Sequence, residues 1–435
     1  MNTVPSALLL ILVPLLPLLL VFPALRSRFS RPCYIALLPA LILLAVPQAV
    51  SIDLPWLLMG SGLGIDDGAG RLLLAMSVLL WAVAASLLHS VNGKPVDDRL
   101  TSCFLLTLAG NLGAILATDL VGFFTFSSLM GYGFYALLIA GGGAETRRAA
   151  RVYLVCLIVA DLALFEALLI AAATARDLDF EAVRQAMAQS ASPGLYLSMV
   201  LAGFALKAGI WPLHFWLPLA FRSFPPAVAL LLGAVPVAIA LLGFVRWLPL
   251  GEVRLPALGL IIQAMGAAAM FYAILAAAKR AQPIRLPACA AIFASGLFTT
   301  FLGVGLGDPV AWNRHGNVAY FLIVFLGSGV AVLVIITGWR RARGHYPTMS
   351  GKPVDDSPPW FERWSGALTR WAAQVGGLSR LCAAWRAKVG GLRQIRAWQR
   401  ALHGSERFLQ RWAYAITLFL LLGIVVVFAG ASSWI

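Results

Sequence analysis

The stretch LAGFALKAGIWPLHFWLPLAF, residues 201–221, decides how this chain is read. It is apolar along almost its whole length, yet it carries Lys207, then Trp211-Pro212, His214 and Pro218. A lysine at the centre of a bilayer costs about 3 kcal/mol on insertion scales, so it belongs against a bundle interior or water and marks a pathway. Lys207 stands about a dozen residues into its run, too deep to snorkel to the interface. Pro212 has no N–H to give a helix ladder and clashes with the preceding turn, so Trp211, Pro212 and Pro218 predict a broken helix just past the lysine. The carbonyls freed by such a break must line a cavity or meet water. A lysine beside a discontinuity, followed by a histidine that titrates near neutrality, is chemistry suited to passing a proton or a cation. The plainer alternative is a lysine paired with one carboxylate to lock two helices together.

Working outward, the 435 residues are 61% hydrophobic and only 12% charged, far from the composition of a soluble domain. The fold class is an all-α polytopic membrane protein. With about 20 apolar residues needed to cross the hydrocarbon core, candidate spans fall near 5–23, 33–50, 71–92, 101–118, 120–140, 150–173, 195–218, 226–247, 256–278, 285–306, 316–338 and 412–431. That makes about 12 transmembrane helices, within a range of 11–14. The first run, Pro5 to Pro23, has no basic leader or small-residue cleavage site and is expected to remain as a spanning helix.

Charge alternates between the connections. Arg26, Arg28 and Arg31 lie in the first, Arg147, Arg148 and Arg151 in the fifth, and Lys279, Arg280 and Arg285 in the ninth, whereas Asp53, Asp66 and Asp67 lie in the second and Asp177, Asp179 and Glu181 in the sixth. The positive-inside rule makes the odd connections cytoplasmic and places both termini on the outer side of a bacterial cytoplasmic membrane. The net charge of +15 therefore speaks for anionic headgroups and not for nucleic acid, since arginines beside helix ends build no groove. Five scattered cysteines, with no CxxC or His/Cys cluster, imply neither disulfides nor a metal.

The sixth span, RVYLVCLIVADLALFEALLIAA at 151–172, places Asp161 and Glu166 in an apolar run. Such carboxylates are expensive unless paired or hydrated. Five residues apart, they point about 140° from each other around a helix, so at most one faces Lys207. Depth favours Asp161; the competing role for each is to join another subunit's helix.

The chain divides into a bundle at 1–340, a polar linker at 341–359, a basic segment at 360–411 and an anchor helix at 412–435. In the basic segment Trp364, Leu368, Trp371, Val375, Leu378, Cys382, Trp385, Val389 and Leu392 recur at alternating spacings of four and three among arginines. That is an amphipathic helix of roughly 58 Å lying in the interface plane on the cytoplasmic side, with a coiled-coil partner as the alternative.

Ala205-Leu206-Lys207-Ala208 and Pro212-Leu213-His214-Phe215-Trp216-Leu217-Pro218, with Pro225 and Val228 beyond, resemble the lysine-bearing broken helix of the antiporter-like subunits. These occur in respiratory complex I, the membrane-bound hydrogenases and formate hydrogenlyases, and the Mrp-type cation/proton antiporters. The similarity extends to KRAQPIRLPACAAIFASGLFTTFLGVGLG at 279–307 and, more weakly, to LAGNLGAILATDLVGFFTF at 108–126 and Leu54-Pro55-Trp56. It implies an inverted-repeat fold of about five helices per repeat, a lateral helix and terminal anchor at the C-terminal side, and a hydrophilic axis relaying protons between lysines. The sequence departs from the family at three places. The glutamate expected in the fifth helix falls on Ser128, the lysine of the eighth on Ala238, and no second broken helix follows the eleventh span.

The function that emerges is a membrane subunit of a multisubunit proton or cation/proton translocating complex. Lys207, His214, Asp161 and Glu166 are its proton-transfer candidates, and no cofactor is expected. Partners are other membrane subunits, a peripheral cytoplasmic enzyme or redox module, and lipid. The alternative is a non-conducting partner that anchors another subunit or enzyme, such as the membrane partner of a carbonic-anhydrase-like protein in inorganic-carbon uptake. No Walker loop, dinucleotide fingerprint or nucleophile elbow points to a catalytic site of the chain's own.

Overall fold

In the computed structural model of the chain, the described residues are 3–342 apart from 47, 56–59, 67, 91–96, 141–143, 191–192, 224–225 and 278–285. The expected linker, basic interfacial helix and final anchor all lie outside the described residues.

The chain opens with α1 (Thr3–Leu20), α2 (Pro23–Arg26), α3 (Pro32–Ile35) and α4 (Leu38–Ala45). The strands β1 (Val50–Asp53) and β2 (Gly62–Ile65) follow, then α5 (Ala69–Ser90), α6 (Asp98–Leu116), α7 (Leu120–Ala140), α8 (Ala144–Thr174) and α9 (Phe180–Gln189). Next come α10 (Gly194–Ala208), a 3₁₀ turn (Leu213–Phe215), α11 (Trp216–Ser223), α12 (Pro226–Ala234) and α13 (Pro236–Trp247). The last four are α14 (Pro256–Ala277), α15 (Leu286–Gly307), α16 (Pro309–His315) and α17 (Asn317–Ala342). Among the described residues, nine helical spans are long and apolar enough to cross a membrane, counting α10–α11 and α12–α13 as one each.

The expected second span, 33–50, is shorter and less regular than its hydropathy suggests. Pro32 and Pro39 each start a helix at its first turn, which yields a four-residue α3 and an eight-residue α4 in place of one continuous helix. Its end turns into β1, which pairs antiparallel with β2 in the register Val50↔Ile65 to Asp53↔Gly62. This hairpin departs from the all-helical expectation.

The connections sort to two ends of the bundle. At one end Arg26 forms an ion pair with Asp98 at 2.9 Å, tying the first connection to the third. At the other, Leu63 bridges Ala117, Asp119 bridges Asp179, and Leu255 N–H donates to Leu306 C=O at 2.8 Å. The even connections therefore meet one another, as they must if consecutive spans cross in alternating directions.

Helix α6 is buried on nearly every side and has a polar seam. The Asn111 side-chain oxygen accepts from Ser77 Oγ and from Trp81 Nε1, the latter at 2.9 Å. Its neighbour α7 comes so near that a Cβ on Gly110 would stand 2.3 Å from the Met130 backbone nitrogen. Small residues that let backbones approach are how membrane helices gain contact when lipid supplies no hydrophobic drive between them. The same device joins α14 to α15 through Gly259, Gly266, Gly296 and Gly303.

Candidate functional site

Helix α10 stops where the sequence runs out of helix-compatible residues. Gly209 takes the left-handed conformation at φ 62°, and a Cβ there would lie 2.4 Å from Leu217 Cδ1, so no other residue fits without strain. Ile210 N–H then donates to Ala205 C=O at 2.9 Å, closing the helix end. The chain passes a cis Trp211-Pro212 peptide and the 3₁₀ turn before α11 begins. Across the break, Trp216 Nε1 donates to Leu206 C=O at 3.1 Å, a second donor to a carbonyl that also accepts from Gly209 N–H at 3.3 Å. Pro218 lies in the first turn of α11, where its missing N–H costs nothing. The next span is bent as well: Pro236 starts α13 after Val235, within the run read as one helix over 226–247.

Lys207 sits in the last turn of α10 and meets Asp161 of α8, Nζ to Oδ1 at 2.6 Å, with the two side chains 8% and 9% exposed. Its Nζ also donates to Ser127 Oγ of α7 at 3.4 Å. The carboxylate is held by charge more than by geometry, because neither oxygen has a well-formed hydrogen bond among the described residues. Tyr132 and the buried Tyr153 both lie within electrostatic reach of Asp161. Beside the pair is a cavity of about 10 Å³, lined among others by Ser127, Tyr153, Cys156, Lys207, Trp216 and Pro236, close to the least space a water occupies.

The remaining candidates separate. His214 is 2% exposed on the far side of the break, its ring 4.6 Å edge-on from Tyr272 of α14, with both ring nitrogens unpaired among the described residues. Glu166 lies on the outer face of α8, exposed, with Leu162, Phe165 and Leu169 around it. Of the two carboxylates in the sixth span, Asp161 therefore faces Lys207 and Glu166 points away. Ser128, where the family glutamate was expected, has a buried Oγ with no partner among the described residues, and Ala238 is buried in α13. The α7 serine that reaches the lysine is its neighbour, Ser127.

One residue of consequence carries no motif in the sequence. Arg246, at the end of α13, donates from Nη1 to the Ala114 and Ala117 carbonyls at 2.8 and 3.0 Å and from Nη2 to that of Ile115 at 2.7 Å. It also stacks over Phe123 and Phe180 at 5.6 and 5.3 Å. A guanidinium thus caps the C-terminal end of α6, where carbonyls lack intrahelical donors. Next to it Asp119 accepts from Ser61 Oγ at 3.0 Å, Gly62 N–H at 2.9 Å and Gly122 N–H at 2.7 Å, fastening the hairpin to the start of α7.

Known proteins share this framework. Residues 117–342 match the family described as "NADH:quinone oxidoreductase/Mrp antiporter, TM". A Na(+)/H(+) antiporter subunit of Bacillus subtilis is 28% identical over 190 residues, 43% of this chain and 38% of that protein. The NADH-quinone oxidoreductase subunit N 1 of Streptomyces griseus is 29% identical over 244 residues, 54% of this chain and 51% of that protein. The chain thus spans about half or less of these curated relatives. A chain in the structure of the Mrp complex from Dietzia sp. DQ12-45-1b superposes with a TM-score of 0.67, covering 100% of this chain and 80% of that one at 18% identity, which speaks to the fold. With more than half of its length matched, and with a broken, lysine-bearing helix inside the matched region, the chain belongs to the NADH:quinone oxidoreductase/Mrp antiporter family of membrane proteins.

Proposed function

We propose that this chain is a subunit of a multisubunit membrane complex that translocates protons, or exchanges a cation for protons, and that Lys207 and Asp161 are its proton-transfer pair. The observation that carries this reading is a close ion pair, 2.6 Å, between nearly buried side chains, at a helix break and beside a water-sized cavity. A charge pair out of water is maintained by the mutual attraction of its members. A proton arriving at Asp161 neutralises the carboxylate and deprives the ammonium of its counter-ion. Lys207 then favours its neutral form and releases a proton toward the cavity at Ser127 or onward to His214. One proton enters and one leaves, and the pair is reset when Asp161 passes its proton across the 2.6 Å contact to the Lys207 amine. The partners are other membrane subunits with a peripheral cytoplasmic enzyme or redox module, and the setting is a bacterial cytoplasmic membrane with the odd connections inside.

A second reading has its own support. Among the described residues no other charge pair stands inside the spans, and α17 carries no ionisable side chain between Tyr320 and Trp339. A chain with half of a relay suits a non-conducting partner that anchors another subunit or enzyme. Proton flux through proteoliposomes of the purified complex separates the two. Lys207→Ala is expected to abolish flux while leaving subunit composition unchanged; flux equal to wild type refutes the conducting role.

A further inference from the structure

Glu166 is an ionisable group that the ion pair leaves unused. It occupies a span that runs from Thr146 to Thr174, and its side chain is exposed on the outer face of α8 amid Leu162, Phe165 and Leu169, which are 61%, 45% and 48% exposed. It stands about 12 Å short of the helix end at Thr174 and about 30 Å from that at Thr146. A glutamate side chain is too short to snorkel over the nearer of those distances. A carboxylate on a lipid face is costly, and such groups are found paired or in water. Among the described residues no hydrogen bond or ion pair reaches Glu166.

We propose that the outer face of α8 centred on Glu166 docks a transmembrane helix of another subunit, and that this helix presents a basic side chain to the carboxylate. Charge complementarity selects this occupant over the others. The chain's own remaining apolar run, Trp412 to Ile435, contains no lysine, arginine or histidine and so has nothing to pair with Glu166. The arginine-rich stretch before it begins at the end of α17 that lies on the same side as the start of α8, and Ala144 at that start is about 33 Å along the helix from Glu166. A second copy packed on the same face about a two-fold axis would bring one glutamate against another. Lipid would require the carboxyl to stay permanently protonated, in which case glutamine serves equally well. The proposal rests on the reading of the chain as part of a complex, but not on whether Lys207 conducts.

The test uses the complex purified from its own membranes through a tag on this chain, with photo-crosslinking side chains at Leu162 and Leu169 and, as a control face, at Val332. Crosslinks from 162 and 169, but not from 332, to one helix of one other subunit are expected, with a basic residue of that helix at the level of Glu166. Glu166→Lys is expected to lower that subunit's stoichiometry at least about tenfold, since it replaces an attractive desolvated pair with two like charges. Glu166→Gln should lower it less, and exchanging the partner's basic residue for glutamate should rescue Glu166→Lys. Crosslinks only to lipid or to residues 412–435, or unchanged stoichiometry in Glu166→Lys, overturn the docking face and leave the complex reading standing. A wild-type chain that purifies alone overturns both.

Discussion

Removing one member of the Lys207–Asp161 pair should cost far more than removing both. The two atoms are 2.6 Å apart and both side chains are less than a tenth exposed, so solvent screens little of their attraction. Asp161→Asn leaves an ammonium facing Tyr153, Cys156 and Leu157, and Lys207→Met leaves a carboxylate whose oxygens have no other well-formed hydrogen bond among the described residues. Each single change is expected to destabilise the bundle by about 3–5 kcal/mol, the range for an uncompensated buried charge. The double change, Asp161→Asn with Lys207→Met, leaves neutral groups and should recover most of that loss; a residual cost of about 1 kcal/mol corresponds to a coupling of about 5–9 kcal/mol. The assay is a double-mutant cycle on the purified protein by reversible denaturant unfolding in mixed micelles, with proton flux of the four variants measured alongside. Interactions between polar side chains within membrane helices average only about 0.6 kcal/mol in such cycles. A coupling at or below that value would make the pair no more than an ordinary contact and refute the link between its charge and its function. Flux should be lost in all three variants even where the double change restores stability, which distinguishes a working pair from a structural clamp.

Two further expectations concern the end of the bundle where the even connections meet. Arg246→Met strips donors from the Ala114, Ile115 and Ala117 carbonyls and should destabilise the protein by about 3 kcal/mol, with Arg246→Lys restoring less than half because an ammonium cannot span three acceptors; a loss under about 1 kcal/mol in unfolding experiments counts against the cap. Asp179 at the start of α9 has its carboxyl raised above 3.8, first by desolvation and then by Asp177, Asp119 and Asp53. The folded state therefore prefers the protonated form, and stability falls as pH rises from 3.8 through the folded-state value. Asp179→Asn should raise the melting temperature at pH 7 by about 1 °C and leave it unchanged below pH 3.8, and a shift independent of pH rejects the electrostatic cause.

The helical, membrane-spanning character of the chain was legible because apolar run length has one dominant meaning in a chain this hydrophobic. The break after Lys207 was legible because Pro212 and Pro218 each carry a local backbone rule, whereas the left-handed turn at Gly209 that ends α10 was not read. What depends on residues distant in sequence was not. The choice between Asp161 and Glu166 follows from which side of α8 packs against α10, and periodicity gives only the angle between them. Arg246 finds its acceptors more than 120 residues earlier in the chain, so nothing near it announces a helix cap. The only local hint is an arginine closing an apolar run just before Leu248-Pro249. The hairpin was missed because Val50–Asp53 and Gly62–Ile65 are four residues each, too short for alternation to register. Ser127 and Ser128 are adjacent and chemically identical, so only the rotation of α7 decides which one reaches the lysine.

The indole of Trp216, bonded to the Leu206 carbonyl across the interruption in the helix, bears on how Lys207 can move. An interruption with free carbonyls is a hinge; one closed by an indole on one side and a left-handed glycine on the other behaves as a mitred corner, stiff in both directions. The backbone carrying Lys207 is then a fixed mount, and what motion the ammonium has comes from rotamer changes of a long side chain held against Asp161. A slow step at this corner would accordingly lie in parting that side chain from its carboxylate and not in bending the helix break.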